Sequence, residues 1–159
     1  MSKKKLSLLL FSGDYDKALV ALILANTAAE ADMDVSIFFA FWGLFILRDP
    51  NKVSKDTKTT MEKMFNAMTP KGPEELPLSN MNFSGLGKKM LEAMMAEDET
   101  PTLEKFLKGA VKKGIKFYGC KLSVDVMGFK KEELLPQLEI IEAKDYLKDA
   151  ASSDIQLFI

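Results

Sequence analysis

The feature that most constrains this chain is a rhythm. Short, nearly unbroken apolar runs alternate with longer stretches of helical periodicity. Residues 6–11 are Leu, Ser, Leu, Leu, Leu and Phe, and the run stops at Ser12, Gly13 and Asp14. An apolar run of that length without polar alternation suits a strand covered on both faces and closed by a turn. Asp14 is placed to cap a helix, and Ala18, Leu19, Leu22, Ile23, Asn26 and Ala29 follow at helical spacing to about Met33. Residues 35–41 read as a second buried strand, closed by Trp42 and Gly43. Strand, helix and strand with short links make a βαβ unit, which dictates parallel pairing and a right-handed crossover.

The last third repeats the rhythm. Thr100 is placed to cap a helix with Pro101 at its first position, where a missing N–H costs least, and Gly114 ends it. Residues 115–119 read as a third strand, Ser123 to Met127 as a short helical turn, and 130–135 as a charged helix stopped by Pro136. A fourth strand at 138–141, a helix at 143–150 and a closing strand at 155–159 complete the chain. The 159 residues are predicted to form a single α/β domain, doubly wound on a mostly parallel sheet of about five strands.

Residues 44–99 break the rhythm and are predicted to be a helical insert. Seven of the ten methionines fall here: Met61, Met64, Met68, Met81, Met90, Met94 and Met95. Met61, Met64, Phe65 and Met68 share one helix face, as do Met90, Leu91, Met94 and Met95, and Pro70, Gly72, Pro73 and Pro77 mark the loop between them. Methionine stripes are more often core than contact, so two helices are expected to bury these faces on each other and on the domain edge. The other reading is an adaptable surface for a partner or a second copy, which flexible thioethers suit.

Composition removes whole classes of activity. There is no histidine, which excludes His-based triads, His-ligated zinc and the usual general base at neutral pH. Twenty-two basic residues balance 23 acidic ones, so the chain lacks the cationic excess that binds nucleic acid or coats an anionic membrane. The longest apolar run, 37–47, is too short to span a bilayer. Lys3, Lys4 and Lys5 imitate the start of a signal peptide, but the apolar run that follows is short and Asp14 and Asp16 stand where a cleavage site belongs. A cytoplasmic location is therefore expected. One cysteine forms no disulfide within the chain and no thiolate cluster, and Glu97, Asp98 and Glu99 read as solvated charge at a helix end; no metal or other cofactor is expected.

In an open parallel sheet, ligands bind beyond the carboxyl ends of the strands. Three predicted strand ends carry notable residues. Ser12 and Gly13 form either an anion-binding turn or a plain helix cap; their pattern is neither a P-loop nor a dinucleotide fingerprint. Trp42, beside Gly43, is either the aromatic wall of a pocket or a plug in the core. Cys120 follows the third strand directly, Gly119 is expected to let the backbone bend there, Ser123 to open the next helical turn, and Lys121 to add positive charge. A helix N-terminus and a cation stabilise a thiolate, the nucleophile of sulfur chemistry. The alternative is a cysteine serving as a small buried hydrophobe. Disulfide exchange of the Cys-x-x-Cys type lacks its second thiol, and Phe117 stands where a peroxiredoxin-like motif needs threonine. A lone reactive thiol can still accept a sulfur atom as a persulfide and hand it on.

The run from Gly119 through Cys120, Lys121, Leu122, Ser123, Val124, Asp125, Val126, Met127 and Gly128 to Phe129 resembles the active-site segment of the DsrE/DsrF-like sulfur-relay family. So do Phe41, Trp42, Gly43 and Leu44 after the second strand, and the closing strand. The likeness covers residues 5–47 and 102–159, and the insert matches the branch often labelled peroxiredoxin-like. The resemblance implies a three-layer α/β/α sandwich, a homo-oligomer, a persulfide on Cys120, and exchange with TusA-like or rhodanese-like proteins. Ser12, Gly13, Trp42, Gly43, Gly119, Lys121 and Ser123 are the expected binding residues around it. Some members of the family lack a working cysteine. The rival reading is accordingly a non-catalytic binding or assembly module that uses the methionine-rich insert as its contact face.

Overall fold

The computed structural model describes residues 2–52 and 58–159. Five strands, β1 (Lys5–Leu10), β2 (Asp34–Phe39), β3 (Lys116–Cys120), β4 (Leu138–Ile141) and β5 (Ile155–Phe158), make one sheet in the order β4-β3-β2-β1-β5. Every neighbouring pair is parallel. The helices are α1 (Tyr15–Glu30), α2 (Thr60–Met68), α3 (Leu86–Glu97), α4 (Leu103–Lys112), α5 (Lys121–Val126) and α6 (Ala143–Ala151). The alternating pattern thus produces the predicted α/β architecture, with helices on both faces of a parallel sheet.

The two faces of β1 show how the layers are made. Leu6, Leu8 and Leu10 are buried in the main core with Ala18, Leu22 and Ala25 of α1. Small side chains let α1 lie close to the sheet, and the buried Asn26 amide donates to the Phe106 carbonyl at 3.1 Å, tying α1 to α4. Ser7, on the opposite face, pairs in register with Ser36, whose hydroxyl donates to Asp149 of α6 at 2.6 Å. Phe38 stacks on Tyr146 of α6 at 4.4 Å on the same side.

Several expected boundaries move, each for a local reason. β2 stops at Phe39 because Phe41 turns to φ 46°, and the apolar run continues as 3-10 turns over Phe41–Leu47. Leu44, Phe45, Ile46 and Leu47 are buried in the main core, so the insert proper departs after them. Thr102, not Thr100, caps α4: its Oγ accepts from the Lys105 N–H, and Pro101 precedes the cap. Thr100 instead closes α3 through a 2.8 Å bond from its N–H to the Met95 carbonyl. The charged helix expected at 130–135 is a single 3-10 turn, Lys131–Glu133. There Glu133 turns inward and pairs with Lys58 at 2.7 Å, both side chains fully buried.

The insert overturns the expectation of buried methionines. Met61, Met64, Met68, Met81, Met90 and Met94 are all exposed; of the seven, Met95 alone is buried, at 9% exposure. Of the face expected on α2, Phe65 alone turns to the body of the protein, and Asn66 beside it is buried. Phe65 packs near Trp42 and Phe45, and Arg48 donates to Asn66, Thr69 and the Pro70 carbonyl. Thr59 and Glu62 close a capping box at its start.

Candidate active site

β3 delivers Cys120 to the carboxyl end of the sheet. Gly119 lies across from Phe39 of β2 and Ile140 of β4, and Cys120 across from Ile141. Gly119 stays in the strand rather than bending it. A Cβ there would press on the Leu138 side chain at 3.1 and 3.3 Å, so the position is kept small by packing. The helical turn also starts earlier than expected. Cys120 is itself the N-cap of α5, Lys121 is its first residue, and Ser123 is the third.

Cys120 is half-buried, and its side chain makes no capping hydrogen bond. The first N–H groups of α5, which have no partner within the helix, follow directly after it in the chain. Ser123 is fully buried, with no hydrogen-bond partner on its hydroxyl. The Lys121 ammonium turns away to Asp125 at 2.6 Å. That hydrogen bond, with the carboxylate charge, raises its pKa above the ordinary lysine value. The positive charge expected at the sulfur is thus engaged one turn down the helix.

α5 ends in a Schellman turn. Gly128 takes φ 68°, its N–H reaches the Asp125 carbonyl at 3.2 Å, and the Phe129 N–H reaches Val124 at 3.1 Å. Met127 is buried beneath that turn. A side chain at Gly128 would strike Glu62 at 2.6 Å, because the start of α2 closes over it. The insert therefore braces the element that carries the cysteine.

The other two strand ends meet each other. A Cβ on Gly13 would come within 2.9 Å of Trp42 Cβ, and the Gly43 N–H donates to Phe11 at 3.0 Å. Gly43 has no room for a side chain because its backbone passes the Leu10 carbonyl. Ser12 is half-buried, and its N–H donates to the Ile159 carbonyl. Trp42 is 42% exposed and leans on Phe45 and Phe65, so it does not plug the core. α5 lies against the Phe41–Leu47 segment, which brings the Trp42 turn to the cysteine's side of the sheet. The start of α1 is already served by the chain: Pro77 accepts from the Tyr15 N–H, Asp14 pairs with Lys17, and Asp16 binds Ser79. That leaves little for an added anion.

Sequence reasoning missed an aromatic ledge at this end. Phe11 lies 6.3 Å from Phe41 and 6.2 Å from Phe158, and the exposed Leu122 and Val126 of α5 add apolar surface. Phe11 and Phe41 were hidden as strand termini inside apolar runs. A cavity of about 630 Å3 lies elsewhere, between the 46–51 segment, the 71–75 turn and α4. Among the described residues no group of three or more Cys, Asp or Glu could hold a metal ion, and no helix is long and apolar enough to cross a membrane.

A family model for DsrE/DsrF/DrsH-like proteins matches residues 2–158. The chain belongs to this family. An uncharacterized protein of Bacillus subtilis (strain 168), YrkE, is 39% identical over 156 residues, covering 98% of this chain and 97% of that one. The sulfur carrier protein DsrE2 of Allochromatium vinosum is 27% identical over 163 residues, spanning all of both chains. The crystal structure of the E. coli ychN protein superposes with a TM-score of 0.52 at 12% identity, covering 99% of this chain and all of that one. The last match is one of fold, and it agrees with the DsrE-like sandwich described above.

Proposed function

We propose that this protein is a sulfur carrier that holds a sulfur atom as a persulfide on Cys120. The observation that carries the reading is the placement of the chain's one cysteine. It is half-buried at the carboxyl end of a parallel strand, beside the open first turn of α5, with no capping bond on its sulfur. Family membership and the 27% identity to a sulfur carrier protein support the same role.

In the loading step the Cys120 thiolate attacks the outer sulfur of a donor persulfide. A bond forms between the Cys120 sulfur and that outer sulfur, and the donor's S–S bond breaks. The donor leaves as a thiolate carrying the electron pair, so nothing is oxidised or reduced overall. Transfer to an acceptor thiolate is the same substitution with Cys120 as the leaving group. The N–H groups that open α5 follow Cys120 directly, and a helix N-terminus favours negative charge. Trp42, Gly43, Ser12 and Gly13 form the neighbouring wall, and the exposed Leu122 and Val126 offer an apolar landing for a small protein of the TusA or rhodanese type. Intact mass after treatment with a persulfide donor tests this. One sulfur atom should add to the native protein, be removable by reductant, and be absent from Cys120→Ser, whose fold should be unchanged. Equal uptake by the mutant sinks the proposal.

One observation favours a second reading, that of an oligomeric binding or assembly module. Six methionines of the insert are exposed, three of them (Met61, Met64 and Met68) at helical spacing along α2. On that reading Cys120 takes up no sulfur, and association is lost when Met61, Met64 and Met68 become polar.

A further inference from the structure

We infer that the Ser123 hydroxyl donates a hydrogen bond to the outer sulfur of a Cys120 persulfide, which makes Ser123 a positioning residue for the loaded state; this rests on the persulfide reading above. Ser123 is fully buried and its Oγ has no partner, even at the longer distance that a sulfur acceptor allows. A buried hydroxyl without a partner costs stability, and replacing it by an apolar group is nearly neutral or favourable. Its presence therefore asks for an occasion on which it is used.

The local geometry supplies one. Cys120 is the N-cap of α5 and Ser123 its third residue. These positions are three apart, so they lie on the same side of the turn, and a helical side chain tilts back toward the N-terminus, here toward the N-cap. In the thiol form neither side chain is bonded: the cysteine makes no capping bond and the serine has no partner. A persulfide places a second sulfur about 2 Å beyond the first. That atom carries the charge when the persulfide ionises, and a hydroxyl bonds an anion more strongly than a neutral acceptor. The hydroxyl bonds nothing while the thiol is empty, and the carried sulfur is the acceptor that loading adds on its side of the turn. Ser123 is itself fully buried, as is Val124 next to it in the chain, so the contact is made away from water. Ser123 keeps its proton throughout, and the transfer chemistry is otherwise as above.

The test compares Ser123→Ala with native protein and with Ser7→Ala, which removes the other buried unpartnered hydroxyl among the described residues, on β1. Each protein is loaded with a small-molecule persulfide, and decay of the added mass is followed at a fixed low concentration of thiol. Ser123→Ala should lose its sulfur about fivefold faster, the factor one modest hydrogen bond is worth. Its thermal midpoint should not fall, and iodoacetamide should alkylate its empty thiol at the native rate. Ser7→Ala should match native protein in both lifetime and alkylation. Equal lifetimes for native and Ser123→Ala overturn the inference while leaving the carrier intact. Slower alkylation of Ser123→Ala also overturns it, because the hydroxyl would then act on the thiol or its packing. A native chain that takes up no sulfur overturns the inference together with the carrier reading.

Discussion

Gly128 shows what a single residue contributes to the cysteine's surroundings. Its φ of 68° lies where an L side chain is strained, and a Cβ would also meet Glu62 at 2.6 Å. Gly128→Ala should therefore cost about 1–2 kcal/mol from the backbone alone, read as a lower urea midpoint, and should loosen α2 from the end of α5. An unchanged midpoint would mean that Glu62 and the turn relax freely. The pair Met127 and Gly128 was legible in the sequence as a family mark. Its physical sense, a buried residue followed by a left-handed helix stop, needed the structure. Cys120 was legible because an apolar run ends there. The fate of the Lys121 charge was not taken from the sequence, although Asp125 stands four residues on, a spacing that brings helical side chains together.

At the scale of elements, the strands were readable because burial on both faces leaves continuous apolar runs, and these stand out against any background. The 3-10 turns at Phe41–Leu47 and Lys131–Glu133 carry no such period, so the first was divided between the end of a strand, its closing turn and the insert, and the second was read as a helix. The methionine stripe failed for a different reason. Periodicity tells which residues share a face, and it does not tell whether anything covers that face. On α2 the anchoring falls to Phe65 and Asn66, leaving Met61, Met64 and Met68 outward. Replacing these three together by Gln should change unfolding free energy by less than about 1 kcal/mol, as surface substitutions do. A buried stripe would lose several times that. Gel filtration of the same variant tests the second functional reading: a native assembly that falls apart with the substitution places the contact on this face, and sulfur uptake on Cys120 by the native protein overturns that reading.

Across the whole molecule the two ends of the sheet are built differently. The carboxyl end holds the cysteine, the aromatic ledge and exposed apolar residues, whereas the amino end is tied by charge. Asp149 accepts from Lys5 of β1 at 2.6 Å and from Ser36 of β2 at 2.6 Å, and Asp154 accepts from Lys4 and from the Lys5 N–H, each at 2.8 Å. Burial pushes the Asp149 carboxyl upward, but the Lys5 and Ser36 hydrogen bonds outweigh it and hold its pKa below the ordinary value. The Lys4 bond does the same for Asp154. A carboxyl whose folded pKa is depressed stabilises the fold above its unfolded value of about 3.9, and that contribution is lost as pH falls through the folded value. With no histidine in the chain, no imidazole titrates near neutrality. Urea unfolding across a pH series should therefore give a flat plateau from about pH 5 to pH 7.5, then a decline below about pH 4. Asp149→Asn should lower the plateau by about 1.5–3 kcal/mol, the worth of hydrogen bonds to a charged group, and should make the acid decline shallower. A steep acid decline of native slope in that variant would place the titrating groups elsewhere and separate the Asp149 cluster from the acid stability of the sheet.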